Sequence, residues 1–422
     1  MARPGTIPLA EAARYLVPKR RTIAGFGDSI TANNSDIVSF NTRAKKTQGF
    51  VNWAAILTRQ KVHFDPSLNF GVPGETTTQI RARLASVIAA APGICVVHAG
   101  TNGGETFATM VANLGYIYDQ LYLAGIIVIA VPILPRGGTG DFASTQQRGR
   151  ALAVNDWIRR QRLLRSNFYV ADATLGFGDP TSYTFAPRAN LTYDGLHPNA
   201  AGAFQVGKLI ADIVDAIFDD PLLPYASPAE TVSGDNPFGN YLQNGLFLFG
   251  GGSLVNGATG NVAQFWTLQN YTGGAAVAGT RNTLSDGRGE QQIDITGTYN
   301  SSNPAVYLVA NPTQNFAAGD QVELIVEYDV AANNQNLVNV SAGFAATQGG
   351  TSYAIVDGNS GNFNFALPAE AHGGILRTPV MTVTATPSAA AVSLQINLKP
   401  TASDLPAAAT IKFRSVSLRK VN

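Results

Sequence analysis

The hydrophobic period of this chain changes once, near residue 220, and the two periods demand two differently built halves. Before that point, short apolar runs at 22–26, 62–70, 94–99, 126–133 and 168–171 are nearly continuous. Such runs suit strands buried on both faces of a parallel sheet. Between them lie stretches with helical spacing, at 50–59, 77–90, 107–124, 145–165 and 200–218. In the third of these, Met110, Leu114, Ile117 and Leu121 form one apolar stripe. Strands alternating with helices predict an α/β sandwich around a mainly parallel sheet.

Beyond Phe218 the chain runs through Asp219-Asp220-Pro221, Pro224, Pro228 and Gly234-Asp235-Asn236-Pro237, a series of breakers that reads as a linker. The period then becomes two. Val322, Leu324, Val326, Tyr328 and Val330 alternate with mostly polar neighbours, and so do Val392, Leu394, Ile396 and Leu398. Near the end, apolar residues shift from odd positions (Ile411, Phe413) to even ones (Val416, Leu418), which predicts a β-bulge near Arg414-Ser415. Roughly nine short strands separated by Gly, Asn and Pro turns fit an all-β jelly roll or sandwich. The expected organisation is an N-terminal extension (1–20), an α/β domain (21–220), a linker (221–237) and a β-sandwich (238–422).

Composition narrows the chemistry. A length of 422 residues supplies two full cores. A net charge of +1 points away from nucleic acid as the main partner. Residues 1–230 hold 21 basic and 17 acidic side chains, whereas residues 231–422 hold only 8 and 11, so the second half is a different, sparsely charged module. The basic cluster Arg159-Arg160-Arg162-Arg165 reads as the solvated face of a helix. A single cysteine, Cys95, permits neither an intrachain disulfide nor a cysteine metal cluster, and its apolar neighbours make it a core residue. His98, inside an apolar run, reads as a satisfied core histidine, and His63 and His372 lack partners at metal-ligand spacing. No metal or cofactor is therefore expected. No run approaches the ~18 apolar residues of a membrane span. Residues 1–21 lack the basic start and apolar stretch of a secretory signal, so export by that route is not expected.

Two distant segments carry the chemistry. Gly27-Asp28-Ser29-Ile30-Thr31 directly follows the first strand and offers a hydroxyl; Asp194-Gly195-Leu196-His197-Pro198 offers an imidazole with a carboxylate three residues before it. A serine is inert at neutral pH until a base takes its proton, and the base needs a third group to hold its tautomer. Asn69-Phe70-Gly71-Val72-Pro73-Gly74-Glu75-Thr76 and Gly100-Thr101-Asn102-Gly103 close the next two strands at the same sheet edge. Acyl transfer develops a negative oxygen that needs fixed donors, and the Ser29 and Gly74 amides with the Asn102 side chain could supply them. Gly, Asn and Ser in such places are equally ordinary turn residues.

The four segments resemble the four blocks of the SGNH (GDSL-like) hydrolase superfamily. Gly27-Asp28-Ser29 corresponds to the nucleophile block and Gly71-Val72-Pro73-Gly74 to the glycine block. Gly100-Thr101-Asn102 corresponds to the asparagine block and Asp194-Gly195-Leu196-His197 to the acid/base block. The resemblance spans roughly residues 21–218. It implies a flavodoxin-like three-layer fold and metal-free hydrolysis of an ester or thioester. It implies Ser29 as nucleophile, His197 as base, Asp194 as its orienting partner, and Gly74 and Asn102 as oxyanion donors. Gly103 stands where the third block usually has Asp, which leaves the support of Asn102 to be found elsewhere.

The second half suggests a substrate. A sandwich low in charge and rich in Asn, Gln, Thr and aromatic residues suits carbohydrate, with Trp266 and Tyr271 as candidate binding residues and Tyr299 and Tyr353 beside them. Residues 244–266 and 411–418 resemble the jelly-roll carbohydrate-binding modules attached to glycan-active enzymes. The expectation is a carbohydrate O-acetyl esterase acting on an acetylated polysaccharide. A lipid esterase or thioesterase, and a non-catalytic glycan-binding or structural protein, are the rival readings. An extracellular or virion-associated setting such as a phage tail, with trimerisation, would fit a glycan-directed chain lacking a signal sequence; without either, the cytoplasm is expected.

Overall fold

The structure is a computed structural model that describes residues 20–39, 42–137, 144–222, 227–313, 315–361 and 363–421. Nearly all of the expected N-terminal extension, and residues 223–226 of the expected linker, lie outside the described residues. The first strands are β1 (Ile23–Gly27), β2 (Ser35–Ser39), β3 (Thr42–Lys46), β4 (Asn69–Gly71), β5 (Ile94–His98), β6 (Ile127–Ala130) and β7 (Phe168–Val170). Five of them form a wholly parallel sheet in the order β4-β1-β5-β6-β7. One face packs on the helices Phe50–Leu57 and Ala200–Ile217 through Val51, Ala54, Val206, Ile210 and Val214. The other packs on Phe107–Leu123 and Thr145–Gln161 through Met110, Leu114, Ile117, Leu121 and Val154. The parallel sheet is the one expected from the continuous apolar runs, and the three-layer α/β/α arrangement is the one the family resemblance implies.

Two boundaries differ from the sequence pattern for local reasons. Only residues 69–71 of the run at 62–70 pair as a strand, because Asp65 accepts from the Ser67 N–H at 2.9 Å and starts a 3₁₀ turn, Pro66–Leu68. Proline there lacks the N–H that a ladder needs. The helical stretch at 77–90 is two helices, Thr77–Ala82 and Leu84–Ala90, broken at Arg83 (φ −108°, ψ 16°).

The C-terminal half is a β-sandwich of a seven-stranded and an eight-stranded sheet. Its core includes Leu268, Ile293, Leu308, Val326, Phe344, Ile396 and Phe413, all fully buried. The bulge falls at Arg414: Glu327 faces Ser415 and Tyr328 faces Phe413, so Arg414 has no opposite number.

The sheets do not respect the division at residue 220. The hairpin β2–β3 belongs by sequence to the α/β half, yet β3 pairs parallel with the sandwich strand Thr351–Asn359, and β2 beyond it is the edge of the eight-stranded sheet. The polar segment Thr42-Arg43-Ala44-Lys45-Lys46 becomes a strand because an open edge supplies its hydrogen bonds. Behind it, Asp357 is fully buried and accepts from Asn52 Nδ2 (2.8 Å), the Gly358 N–H (2.6 Å) and the Arg377 N–H (2.7 Å). Lys45 Nζ lies 3.7 Å from Asp357 Oδ2 and also donates to the Arg377 carbonyl oxygen. Burial lowers the Lys45 ammonium and raises the Asp357 carboxyl, each opposed by the other's charge. Trp53 joins the same seam, edge-on to Phe204 at 5.1 Å and to His372 of the sandwich at 5.5 Å. A Cβ on Gly374 would sit 2.0 Å from the Ile56 carbonyl oxygen, so only glycine lets that strand lie against the helix.

Two predictions follow from the seam. Asp357→Ala leaves Lys45 and three donors without their acceptor and should cost about 3–5 kcal/mol in chemical denaturation, the penalty for breaking a buried pair; an unchanged midpoint would show that the seam is dispensable. His63, beside Lys45 and Arg377, is held down to about 2 from an ordinary 6.5, first by burial and then by those two cations. The unfolded chain therefore binds a proton that the folded one refuses, and stability is lost as pH falls below 6.5, by about 1.4 kcal/mol per unit at most from this group. Urea melts at pH 6.5 and 5 should show a shallower decline for His63→Gln than for the wild type; equal declines would refute the assignment.

Candidate active site

The site is assembled where three adjacent strands end. Gly27, the last residue of β1, is in register with Gly71 of β4 on one side and His98 of β5 on the other. The loops carrying Ser29, Gly74 and Asn102 therefore leave one sheet edge side by side. Asp28 Oδ1 accepts from the Ile30 N–H at 3.0 Å and starts the short helix Ser29–Ala32, which places Ser29 at its first turn.

Ser29 Oγ lies 2.8 Å from His197 Nε2, and His197 Nδ1 lies 2.6 Å from Asp194 Oδ2. The second segment can do this because of its turn. Gly195 has φ +84°, a conformation that favours glycine, and the chain folds back so that Asp194 Oδ1 accepts from the N–H groups of Leu196 (3.0 Å) and His197 (2.7 Å). One carboxylate thus holds both the backbone and the ring of His197. The Gly137 N–H donates to the Gly195 carbonyl at 2.7 Å, and Asn199 caps the helix Ala200–Ile217 just beyond. Burial pushes the Asp194 carboxyl up, but the hydrogen bonds from the His197 ring and the two N–H groups outweigh it and hold the group below its ordinary value. A carboxylate so held stays ionised and keeps the Nδ1 proton on the His197 ring, leaving Nε2 free to accept from Ser29.

The candidate charge-stabilising donors stand on the neighbouring loops. Among the described residues, the Ser29 and Gly74 N–H groups have no protein partner. Asn102 Nδ2 donates to the Glu75 carbonyl at 3.2 Å, which uses one of its two hydrogens and ties its loop to that of Gly74. Glu105, two residues beyond Gly103, acts on the neighbouring loop instead of on Asn102. Its carboxylate accepts from the N–H and hydroxyl groups of both Thr77 and Thr78 at 2.6–3.0 Å, pinning the helix that follows Gly74. Burial alone would raise Glu105, but these bonds lower it.

Three more residues shape the site without any motif to mark them. Arg83 donates to Glu75 Oε2 (2.6 Å) and to the carbonyls of Phe70 and Gly27 (both 2.8 Å), clamping the ends of β4 and β1 under Ser29. The helix break at Arg83 is what aims it there. Buried Arg136 donates to the Thr101 carbonyl at 2.9 Å, and its N–H to the Phe185 carbonyl, linking the Asn102 loop to the far wall. Tyr193 stacks on His197, with ring centroids 5.4 Å apart and planes 11° from parallel. An arginine inside an apolar helical stretch and a tyrosine before a motif give no signal in sequence, because their partners come from elsewhere in the chain.

Other expected residues are placed as follows. Trp266 is not a surface binding residue: it is 1% exposed, packs on Phe247 at 5.3 Å and donates Nε1 to the Asn244 carbonyl. It stands just before the strand Thr267–Tyr271, two residues from the fully buried Leu268, on the side that faces the core. Tyr299 is likewise buried. Tyr271 is 48% exposed and meets Tyr307 edge-on at 6.0 Å on the outer face of the eight-stranded sheet. His98 is buried but unsatisfied: neither ring nitrogen has a hydrogen-bond partner among the described residues, and Asp28 Oδ1 is 3.8 Å away. In the basic cluster, Arg159 pairs with Asp156 and Asp172, and Arg165 with Asp119. Among the described residues there is no group of three or more His, Cys, Asp or Glu side chains that could hold a metal, and no helix long and apolar enough to cross a membrane.

Residues 26–203 match the model of the GDSL-like lipase/acylhydrolase family. This stretch is a GDSL-like acylhydrolase domain. Among solved structures, a GDSL-like lipase from Bacteroides thetaiotaomicron is 16% identical over 49% of this chain and 96% of its own, with a TM-score of 0.36. An acetyl xylan esterase is 18% identical over 46% of this chain and 99% of its own, with a TM-score of 0.37. A carbohydrate-binding module of the β-sandwich superfamily is 8% identical over 36% of this chain and 56% of its own, with a TM-score of 0.24. No curated protein matches the chain.

The double use of Asp194 makes a sharp test of the acylhydrolase site. Asp194→Asn keeps an oxygen for the Leu196 and His197 N–H groups but can present an NH₂ to Nδ1, which favours the wrong tautomer. The expected outcome is a loss of about 10³- to 10⁴-fold in kcat on a small acetate ester with unchanged thermal stability; a loss under tenfold would show that Asp194 serves the loop alone.

Proposed function

We propose that the acylhydrolase domain is a serine esterase and that the chain removes acetyl groups from a polysaccharide. The observation that carries the first part is the hydrogen-bonded sequence from Ser29 Oγ through His197 to Asp194. In the proposed mechanism, neutral His197 takes the proton of Ser29 as the hydroxyl attacks the acyl carbonyl. The Ser29 and Gly74 amides and the Asn102 side chain receive the negative oxygen. Asp194 stabilises the imidazolium, which then protonates the leaving alcohol. Water repeats the sequence on the acyl-enzyme and releases the acid.

The glycan part of the proposal is supported by the outer face of the sandwich. Gln269, Tyr271, Asn303, Ala305, Tyr307 and Val309 line an open groove of about 530 Å³. Exposed aromatic rings beside uncharged amides suit a sugar, which offers C–H faces to the one and hydroxyls to the other. The groove lies on the strands four and five places along the sheet from β3, roughly 19–24 Å at the usual spacing between neighbours. A ligand that engages both this groove and Ser29 must be a polymer.

The test is acetate release from a panel of acetylated polysaccharides, with Ser29→Ala alongside. The proposal expects release by the wild type and a loss of at least about 10⁴-fold in the variant. No release from any glycan, with good turnover of a long-chain acyl ester, would replace this reading by a lipid esterase. Equal behaviour of wild type and Ser29→Ala would remove catalysis from Ser29.

A further inference from the structure

The β-sandwich reaches the ring that stacks on His197. Its turn at residues 363–366 carries Phe365, whose ring centroid lies 6.4 Å from that of Tyr193 with the planes inclined at 50°. Tyr193 lies nearly parallel to the His197 ring at 5.4 Å, and Asn33 Nδ2 donates to its hydroxyl at 3.4 Å. Asn33 closes the short helix that begins at Ser29. Three rings thus run in succession from the base to the sandwich, and the middle one is tied to the element bearing the nucleophile.

The turn is held from both sides. The Thr47 N–H donates to the Asn359 carbonyl at 3.0 Å, the Ser360 N–H to Asn339 Oδ1 at 2.9 Å, and the Leu367 N–H to the Leu337 carbonyl at 2.8 Å. Phe365 is half-buried between exposed Asn364 and Ala366. An anchored turn that keeps an aromatic ring partly open, one ring removed from His197 across Tyr193, is placed to touch the part of a substrate that extends past the base.

Chemistry decides which part of the substrate it touches. Cleavage of an ester sends the carbonyl oxygen toward the donors on the Gly74 and Asn102 loops, while His197 hands its proton to the departing alcohol. The alcohol half therefore leaves on the side of His197, where Tyr193 and Phe365 stand. Their π faces suit the weakly positive C–H face of a sugar ring. We infer that Tyr193 and Phe365 form the subsite for the sugar that bears the scissile acetyl group, so that the sandwich sets leaving-group specificity from inside the cleft. This inference rests on the glycan-esterase reading above.

Full-length wild type, Phe365→Ala and Phe365→Trp are compared on an acetylated oligosaccharide and on ethyl acetate, with kcat and KM measured separately. Phe365→Ala should raise KM for the oligosaccharide about 5- to 10-fold, the size of one lost aromatic contact, and leave kcat/KM for ethyl acetate within about twofold. Phe365→Trp should restore the oligosaccharide KM. Unchanged kinetics on both substrates, or an equal loss on both, would overturn the subsite while leaving the glycan reading in place. A wild type that hydrolyses ethyl acetate but releases nothing from any acetylated glycan would end the glycan reading and the subsite with it.

Discussion

Asp357 is an ionisable group with no exposure, and burying it is tolerable only because every oxygen is occupied. Its three hydrogen-bond donors and its cation come from four places: the helix Phe50–Leu57, the residue next to it, the strand His372–Arg377 and the hairpin strand β3. Loss of any one element would expose the carboxylate or strand it unpaired. The two halves of the chain are therefore not beads on a linker. The seam also fixes the rest: β3 must reach the sandwich, so the segment leaving the nucleophile's helix is stretched toward it, and the turn bearing Phe365 follows directly from the strand that β3 completes.

The sheet edge that carries Ser29 is organised in the same way, by groups that tie neighbouring loops together. Arg83 joins the ends of β1 and β4, Asn102 joins its loop to Glu75, and Glu105 pins the helix beyond Gly74. Precise placement of a nucleophile and its donors needs such cross-links, because each loop taken alone could settle in many positions. At Gly103 the acid usual in the third block is absent; Asn102 is tied instead to the Glu75 carbonyl, and Glu105 separately pins Thr77 and Thr78.

Much of this was readable before the structure. The parallel sheet, its flanking helices, the sandwich and the bulge at Arg414 all follow from period and polarity, which are local properties of the chain. The four short blocks bring together Ser29, His197 and Asp194 as expected, because a tight turn such as that at Gly195 writes its geometry into three or four consecutive residues. What escaped notice were residues whose roles depend on distant partners. Arg83 and Tyr193 look like ordinary helix and loop residues, and β2–β3 is too polar to resemble a strand. Trp266 went the other way: an aromatic residue in a sugar-friendly composition suggested a surface site, and packing against Phe247 placed it in the core.

Sequence alone determined the two layer types, their order and the segments that bring Ser29, His197 and Asp194 together, since these rest on side-chain chemistry and short-range periodicity. Tertiary structure alone decided that the halves share a sheet, that a buried Lys45–Asp357 pair holds them, and that Phe365 of one meets Tyr193, the ring stacked on His197, of the other. The reason is physical. Strand edges, buried charges and stacked rings gain free energy only from a partner in space, and for these residues the partners lie hundreds of positions away.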